Sequence, residues 1–385
     1  MRKLICVFLL AFAICGWSEE IAKATPSPTP RDHKNDFVPK GRIENLEQRV
    51  ADIEQKTIMD KFEGKTLLTR CCEDEDSFAI YADFLWWRAQ NNGFRYLYKI
   101  IAERTTDLVS MPYDWDPGFR VGLGYNSCYD GWDLYTYWTR FHNKSSQTLR
   151  NYDFSDESSM LAILLPVLNI DINLLNAGQP TLGTPEIGYC KATVDIDYDT
   201  ADLLLDRDFF IGKSLALKPF FGLKALFLKQ KFFVRYADPD PANNWGPLMP
   251  YDIKLENKYW GVGPKIGLNT NWYLIKELKL FANLAADLVY GERKENFRYI
   301  SADENYSGGG KCNTDVLTPT FNMAVGAAFT YCFDEAISLD LHIAWETLYI
   351  WNQYMTQGLL NISNYTKLNE PLHMQGLTLG TELRF

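Results

Sequence analysis

Eleven charged residues occupy alternate positions within otherwise apolar stretches: Asp83, Arg120, Asp133, Lys218, Lys224, Lys265, Asp287, Asp340, Glu346, Glu382 and Arg384. Charges spaced this way can line a water-filled passage, or they can pair with one another across a narrow space. Five are basic and six acidic, too even a balance to assign a preference for cations or anions. Acid–base chemistry has a smaller foothold. "DLH" puts Asp340 and His342 on one face of their run, and His142 and His373 lie near the far ends of theirs. A Ser–His nucleophilic pair leaves no recognisable spacing. The sequence holds no Gly-rich phosphate loop, CxxC pair or zinc-ligand spacing, and four histidines leave little room for a metal centre. No cofactor is expected.

The elements that must carry these residues alternate with a period of two from Phe78 onward, the period of a β-strand. "YWGVGPKIGLNTNW" sets Trp260, Val262, Ile266, Leu268 and Trp272 against Gly261, Lys265, Asn269 and Asn271. "LFANLAADLVYG" sets Leu280, Leu284, Leu288 and Tyr290 against Asn283 and Asp287. "GLTLGTELRF" closes the chain with Leu377, Leu379, Leu383 and Phe385 on one parity. Such a pattern fits a soluble sandwich, whose apolar face packs on a second sheet. It also fits an outer-membrane barrel, whose apolar face meets lipid while the other faces the lumen.

Three features favour lipid. The runs reach 10 to 15 residues, whereas a membrane strand needs about 9–11 and soluble strands usually have about 5–6. Aromatics cluster near run ends, at Trp86, Tyr125, Trp132, Trp138, Trp260, Trp272, Tyr290 and Trp345, as girdles at the lipid–water boundary do. Connections also alternate in length. The strands expected are 78–89, 117–126, 130–142, 191–205, 214–229, 257–272, 278–291, 317–332, 336–350 and 372–385. Long gaps (90–116, 143–190, 230–256, 292–316, 351–371) alternate with short ones (127–129, 206–213, 273–277, 333–335). Long external loops and short periplasmic turns are the rule in such barrels.

The expected fold is therefore all-β: an antiparallel transmembrane barrel of about ten strands, within a range of ten to twelve, over residues 78–385. Its last strand would close on the first, so that no edge stays open. One segment, "TVDIDYDTADLLLDR", changes parity: Val194, Ile196 and Tyr198 would face out at its start, Leu203 and Leu205 at its end. A bulge near Asp199–Ala201 would switch it; a shorter strand is the alternative.

Ahead of the barrel, Arg2 and Lys3 precede eleven apolar residues and then Gly16 and Ser18, the pattern of a secretory signal peptide over residues 1–18. Residues 19–40 read as a Pro-rich linker. Within 41–63, Ile43, Leu46, Val50 and Ile53 fall at heptad spacing. That segment reads either as a solvated helix or as a coiled coil that joins copies of the chain through residues 43–57. Residues 64–77 form a second linker. The formal charge of −10 argues against a nucleic-acid partner; the expected partners are outer-membrane lipids.

"GFRVGLGYNSCYDGWDLYTYWTRFH" (Gly118–His142) and "RDFFIGKSLALKPFFGLKA" (Arg207–Ala225) resemble the pore-forming major-outer-membrane-protein-like family of Legionella and chlamydia-related bacteria. The resemblance implies diffusion of small hydrophilic solutes and no catalytic residues. The terminal Phe385 resembles the signal by which the barrel-assembly machinery recognises its clients. Cys71, Cys72, Cys128 and Cys332 would lie near the periplasmic rim, Cys190 and Cys312 near external strand ends. Similarity to chlamydia-type envelopes makes these six candidates for disulfides with other envelope proteins; buried or free thiols are the alternative. Two other functions stay open. One is a surface adhesin or antigen with a plugged lumen. The other is a protease or lipase, for which Asp340 and His342 lie at the periplasmic end, the wrong one for surface proteolysis.

Overall fold

A computed structural model describes residues 76–91, 95–101, 105–127, 132–150, 163–166, 189–211, 214–237, 251–301, 307–333, 337–355, 368–369 and 371–385. The expected signal peptide, linkers and helical segment, with residues 43–57, Cys71, Cys72 and Cys128, lie outside them.

Ten antiparallel strands close into a cylinder. They are β1 (Ser77–Gln90), β2 (Trp115–Asn126), β3 (Trp132–Arg150), β4 (Tyr189–Arg207), β5 (Leu215–Ala237), β6 (Tyr251–Tyr273), β7 (Leu278–Ser301), β8 (Ser307–Cys332), β9 (Ser338–Ile350) and β10 (Leu372–Arg384). Each pairs with its sequence neighbour, and β10 pairs with β1. Closure reaches the last residue: Phe78 and Phe385 exchange both backbone hydrogen bonds, at 2.9 and 3.0 Å. A terminal strand therefore does not fray here, because its final amide and carbonyl are both satisfied.

All ten expected strands are present, and five of them (β3, β5, β6, β7 and β8) run six or more residues further than the alternation of outward apolar residues indicates. The expected external loop 292–316 is instead largely a hairpin, with Glu292–Ile300 laddered against Ser307–Asp315. β8 has 26 residues, about 86 Å of strand at about 3.3 Å per residue, far more than a bilayer requires. The surplus stands outside lipid, where outward side chains become charged: Arg140, His142, Asp195, Asp197, Lys229, Lys231, Glu256, Lys258, Glu292 and Lys294. These positions fail an apolar-face criterion while keeping their ladder hydrogen bonds.

The parity change in β4 has the same origin and corrects the sequence expectation. β4 runs unbulged from Tyr189 to Arg207, in continuous register with both neighbours. Val194, Ile196 and Tyr198 point inward and are buried, while Leu203 points out and is 47% exposed. The apolar set changes face because the surroundings change along the strand. In the lower part lipid lies outside; in the upper part water lies outside and an apolar core fills the interior. β5, β6 and β7 invert in the same way. Phe227, Trp260 and Leu288 face out, whereas Phe232, Val234, Ile253, Leu255 and Phe297, further along the same strands, face in.

Smaller elements complete the described residues. Arg95–Ile101 pairs with Thr105–Ser110 and with Ile163–Pro166. Phe209–Ile211 folds back on the start of β5, and Tyr354–Met355 meets Leu368–Asn369.

Candidate functional site

The lumen has two storeys. In the lower, near the short turns, inward positions are polar and surround a cavity of about 260 Å³. Nine of the eleven charges identified from sequence line it: Asp83, Arg120, Lys218, Lys224, Lys265, Asp340, Glu346, Glu382 and Arg384. Asp133 and Asp287 are buried behind the cavity, as partners of Lys218 and Lys224.

Each of the five basic residues is matched by acid. Arg120 makes two parallel hydrogen bonds to Glu346, at 2.9 and 2.8 Å, and reaches Asp83 at 3.2 Å. Lys218 lies 2.8 Å from Asp133 and 3.1 Å from Asp206, and donates to the Tyr135 hydroxyl. Lys224 meets Asp287 at 2.7 Å, and the Thr320 hydroxyl donates to the same carboxylate oxygen. Lys265 binds Asp202 at 3.0 Å. Arg384 pairs with Glu382, which also accepts from the Tyr81 hydroxyl at 2.8 Å. All but Arg384–Glu382, which lies within β10, cross between strands, and Arg120–Glu346 joins β2 to β9. They brace the wall and give each cation a carboxylate partner. A charge in a low-dielectric interior is tolerable only with such partners.

Sequence reasoning missed Lys279, Asp202 and Asp206. Lys279 pairs with Asp340 at 2.5 Å, and Asp340 also accepts from the Thr330 hydroxyl. Lys279 stands at the start of its run, where a basic residue reads as a strand-end anchor. Asp202 and Asp206 share the inward parity of Thr200, Asp206 one residue past the expected strand end. His342 approaches Asp83 at 3.3 Å and stacks edge-on against Phe281. A Cβ on Gly380 would collide with both Asp83 and His342, so the glycine makes room for that pair.

The upper storey is mainly apolar. Inward side chains of β4, β5 and β6 (Cys190, Val194, Ile196, Phe232, Val234, Tyr236, Ile253, Leu255) join Leu348, Ile350, Leu372 and Met374 from β9 and β10 in one cluster. Tyr96, Leu97, Met111 and Tyr113, from the connection between β1 and β2, enter the same cluster. The Tyr236 hydroxyl donates to the Tyr96 carbonyl, and the Tyr96 hydroxyl to Gln147 of β3 at 2.5 Å. After β9 the chain turns inward at Asn352, whose φ of 57° suits asparagine. Gln353 is thereby buried against Gln230, which donates to it at 3.1 Å.

The outer face completes the geometry. Seven of the eight expected girdle residues are 36–60% exposed: Trp86, Tyr125, Trp138, Trp260, Trp272, Tyr290 and Trp345. Trp132 is partly buried beneath Phe221 and Arg207. On the same outer face Phe84, Val121, Leu123, Leu203, Leu223, Ile266, Leu284, Val325 and Ile343 are all exposed. Above them His142 lies 2.7 Å from Asp197 and 3.9 Å from Asp195, an acidic pair that sequence reading did not connect to it. The link needs the β3–β4 register, which sets His142 directly opposite Asp197. The three could hold a cation, although Lys231 already approaches Asp195 at 3.6 Å. His373 stacks on Tyr349, with ring centroids 4.3 Å apart.

Cys332 is in a disulfide. Cys190 is buried with a free thiol, enclosed by the upper core, and Cys312 is exposed and free.

A closed antiparallel cylinder with an apolar, aromatic-rich exterior and a polar lower lumen is a β-barrel of the outer membrane. Over residues 69–385 the chain matches the family model described as Legionella pneumophila major outer membrane protein precursor, and it belongs to that family. No curated protein matches the chain. Among solved structures it is similar to the outer membrane protease OmpT from Escherichia coli (10% identity, 80% of this chain and 96% of that one, TM-score 0.42). It is also similar to a major outer membrane protein from Thermus thermophilus (12%, 80% and 99%, TM-score 0.32) and to OprG from Pseudomonas aeruginosa (12%, 80% and 98%, TM-score 0.26).

Proposed function

We propose that this barrel is a porin-like conduit through which small hydrophilic solutes diffuse across the outer membrane, and that the upper apolar core is its closed gate. The observation that carries the reading is the lower lumen, a polar cavity walled by paired charges. A barrel that served only as an anchor would have no use for so many desolvated ion pairs, since apolar side chains fill such a space at less cost. The gate is the segment bearing Tyr96, Leu97, Met111 and Tyr113. It enters the lumen from a connection rather than from the wall, so it can leave without breaking the barrel.

A second reading rests on that same apolar core: a permanently sealed envelope barrel that presents its long connections as an adhesin or antigen. Planar-bilayer recording separates the two. The full chain, refolded into a bilayer, is expected to show discrete conductance steps, more frequent in Tyr96→Ala/Leu97→Ala. Silence of both proteins at all voltages would remove the conduit and leave the sealed barrel. In either case we propose pairing of copies through residues 43–57, assembly by the barrel-assembly machinery with Phe385 as its signal, and disulfide links to other envelope proteins through cysteines other than Cys332, already in a disulfide, and the buried Cys190. No enzymatic role is proposed. Asp340 and His342 are held by Lys279 and Asp83 within the wall, and His142 faces away from the lumen.

A further inference from the structure

Most charges of the lower storey are engaged with one another, and neutral amides stand among the groups left to meet a solute. Asn269, Asn271, Asn283 and Asn322 line the cavity from three consecutive strands, β6, β7 and β8. Asn269 stands directly opposite Asn283, and Asn322 stands opposite Ala285, the next inward position on β7. The side-chain oxygens of Asn269 and Asn322 are shielded from the surface and receive no hydrogen bond from any described residue. An acceptor left so carries a desolvation cost, which a small turn of either amide toward the cavity and a donor there would relieve. Two aromatic rings adjoin the amides. Phe281 lies opposite Asn271, and Phe220 lies opposite Gly267, beside Asn269. A Cβ on Gly267 would strike the Phe220 ring, so glycine leaves that ring its place.

Neutral amides that both donate and accept, set beside apolar ring faces, suit a molecule with hydroxyls along its edge and C–H groups on its face. An ion is served less well, because it must compete with a carboxylate or ammonium already engaged at 2.5–3.3 Å. We propose that the Asn269–Asn283–Asn322 patch is a binding subsite for neutral polyhydroxylated solutes, sugars or polyols. As the solute class of the conduit this rests on the function proposed above; as a binding site it does not.

Saturation-transfer NMR of the detergent-folded full chain with glucose tests the binding directly. The wild type is expected to give a glucose signal that sorbitol competes away and sodium glutamate does not. Asn269→Ala/Asn322→Ala should weaken apparent affinity by roughly tenfold, the loss of two neutral hydrogen bonds. Asn269→Thr/Asn322→Thr, which keeps a hydroxyl at each position, should lose less. Retention of the compact, heat-modifiable gel band checks that each variant folds. Absence of signal on the wild type, full affinity in both variants, or competition by glutamate stronger than by sorbitol would overturn the subsite. Silent bilayers with glucose binding intact would overturn the conduit and leave the subsite standing.

Discussion

The two storeys of the lumen share one ladder of strands and are filled by opposite means. In the lower, inward side chains are ionic and most answer a partner on another strand; in the upper they are mainly apolar and pack on a segment that enters from a connection. Lipid accounts for the difference. Where lipid surrounds the wall, the outward row supplies the apolar face and the inward row is left for polar groups. Where the wall rises into water, the outward row is charged and the inward row has to supply the cohesion. β4 shows both regimes on one continuous strand, Leu203 outward below and Val194 and Ile196 inward above. Alternation alone therefore does not tell which face is the lumen; the solvent outside has to be read along with it.

Removing one partner of a buried ion pair is the harshest test of the lower storey. Lys224 and Asp287 have side chains 3% and 0% exposed. Lys224→Met leaves Asp287 with the Thr320 hydroxyl and no cation. The expected cost is about 3–5 kcal/mol, seen as a large fall in the urea midpoint of the vesicle-folded barrel. Lys224→Met/Asp287→Leu should recover most of it, since two apolar groups carry no uncompensated charge. A double variant no more stable than the single would show that the site depends on shape rather than charge.

The upper storey should respond to volume instead. Leu228 is 2% exposed in the apolar cluster. Leu228→Ala is expected to cost about 2–3 kcal/mol through lost burial and a residual cavity, with no rescue by any second charge change. Loss of the Tyr96 hydroxyl is gentler. Tyr96→Phe keeps the ring in the core and removes the donor to Gln147, at about 1 kcal/mol. Because that bond ties the entering segment to β3, the variant should also raise the frequency of bilayer conductance steps; unchanged gating would place the seal elsewhere in the cluster.

The contrast also explains what could be read from sequence. Strand count, closure of β10 on β1, the outward aromatics and the inward charges follow from a period of two and a known thickness of lipid. Which cation meets which anion does not, because Arg120 and Glu346 stand 226 positions apart and meet only through barrel curvature and stagger. Overhanging strands such as Glu292–Ile300 were opaque for another reason: their outward row, Glu292, Lys294, Asn296 and Arg298, is polar, and their inward Phe297 and Tyr299 mimic an outward apolar pair. The lumenal core was opaque because the residues that enter it, Tyr96 and Leu97, come from a connection in which no alternation marks a buried position.

The overhang supplies the mildest test and a third medium for the comparison. Arg235 on β5 forks onto Asp252 on β6 at 2.6 and 2.7 Å, geometry as good as that of Arg120 on Glu346. Its side chain is 51% exposed, against 19% for Arg120. Water and salt screen the exposed pair, so Arg235→Ala should cost only about 0.2–1 kcal/mol, and less still as ionic strength rises. Urea midpoints of the two variants measured from low to high salt make the contrast quantitative. The cost of Arg235→Ala should fade with salt, while that of Arg120→Ala, whose partners Glu346 and Asp83 lie inside the wall, should persist. Equal salt dependence at the two sites would mean that bulk electrolyte reaches the lower lumen freely, and that its charges act as a hydrated lining rather than as braces.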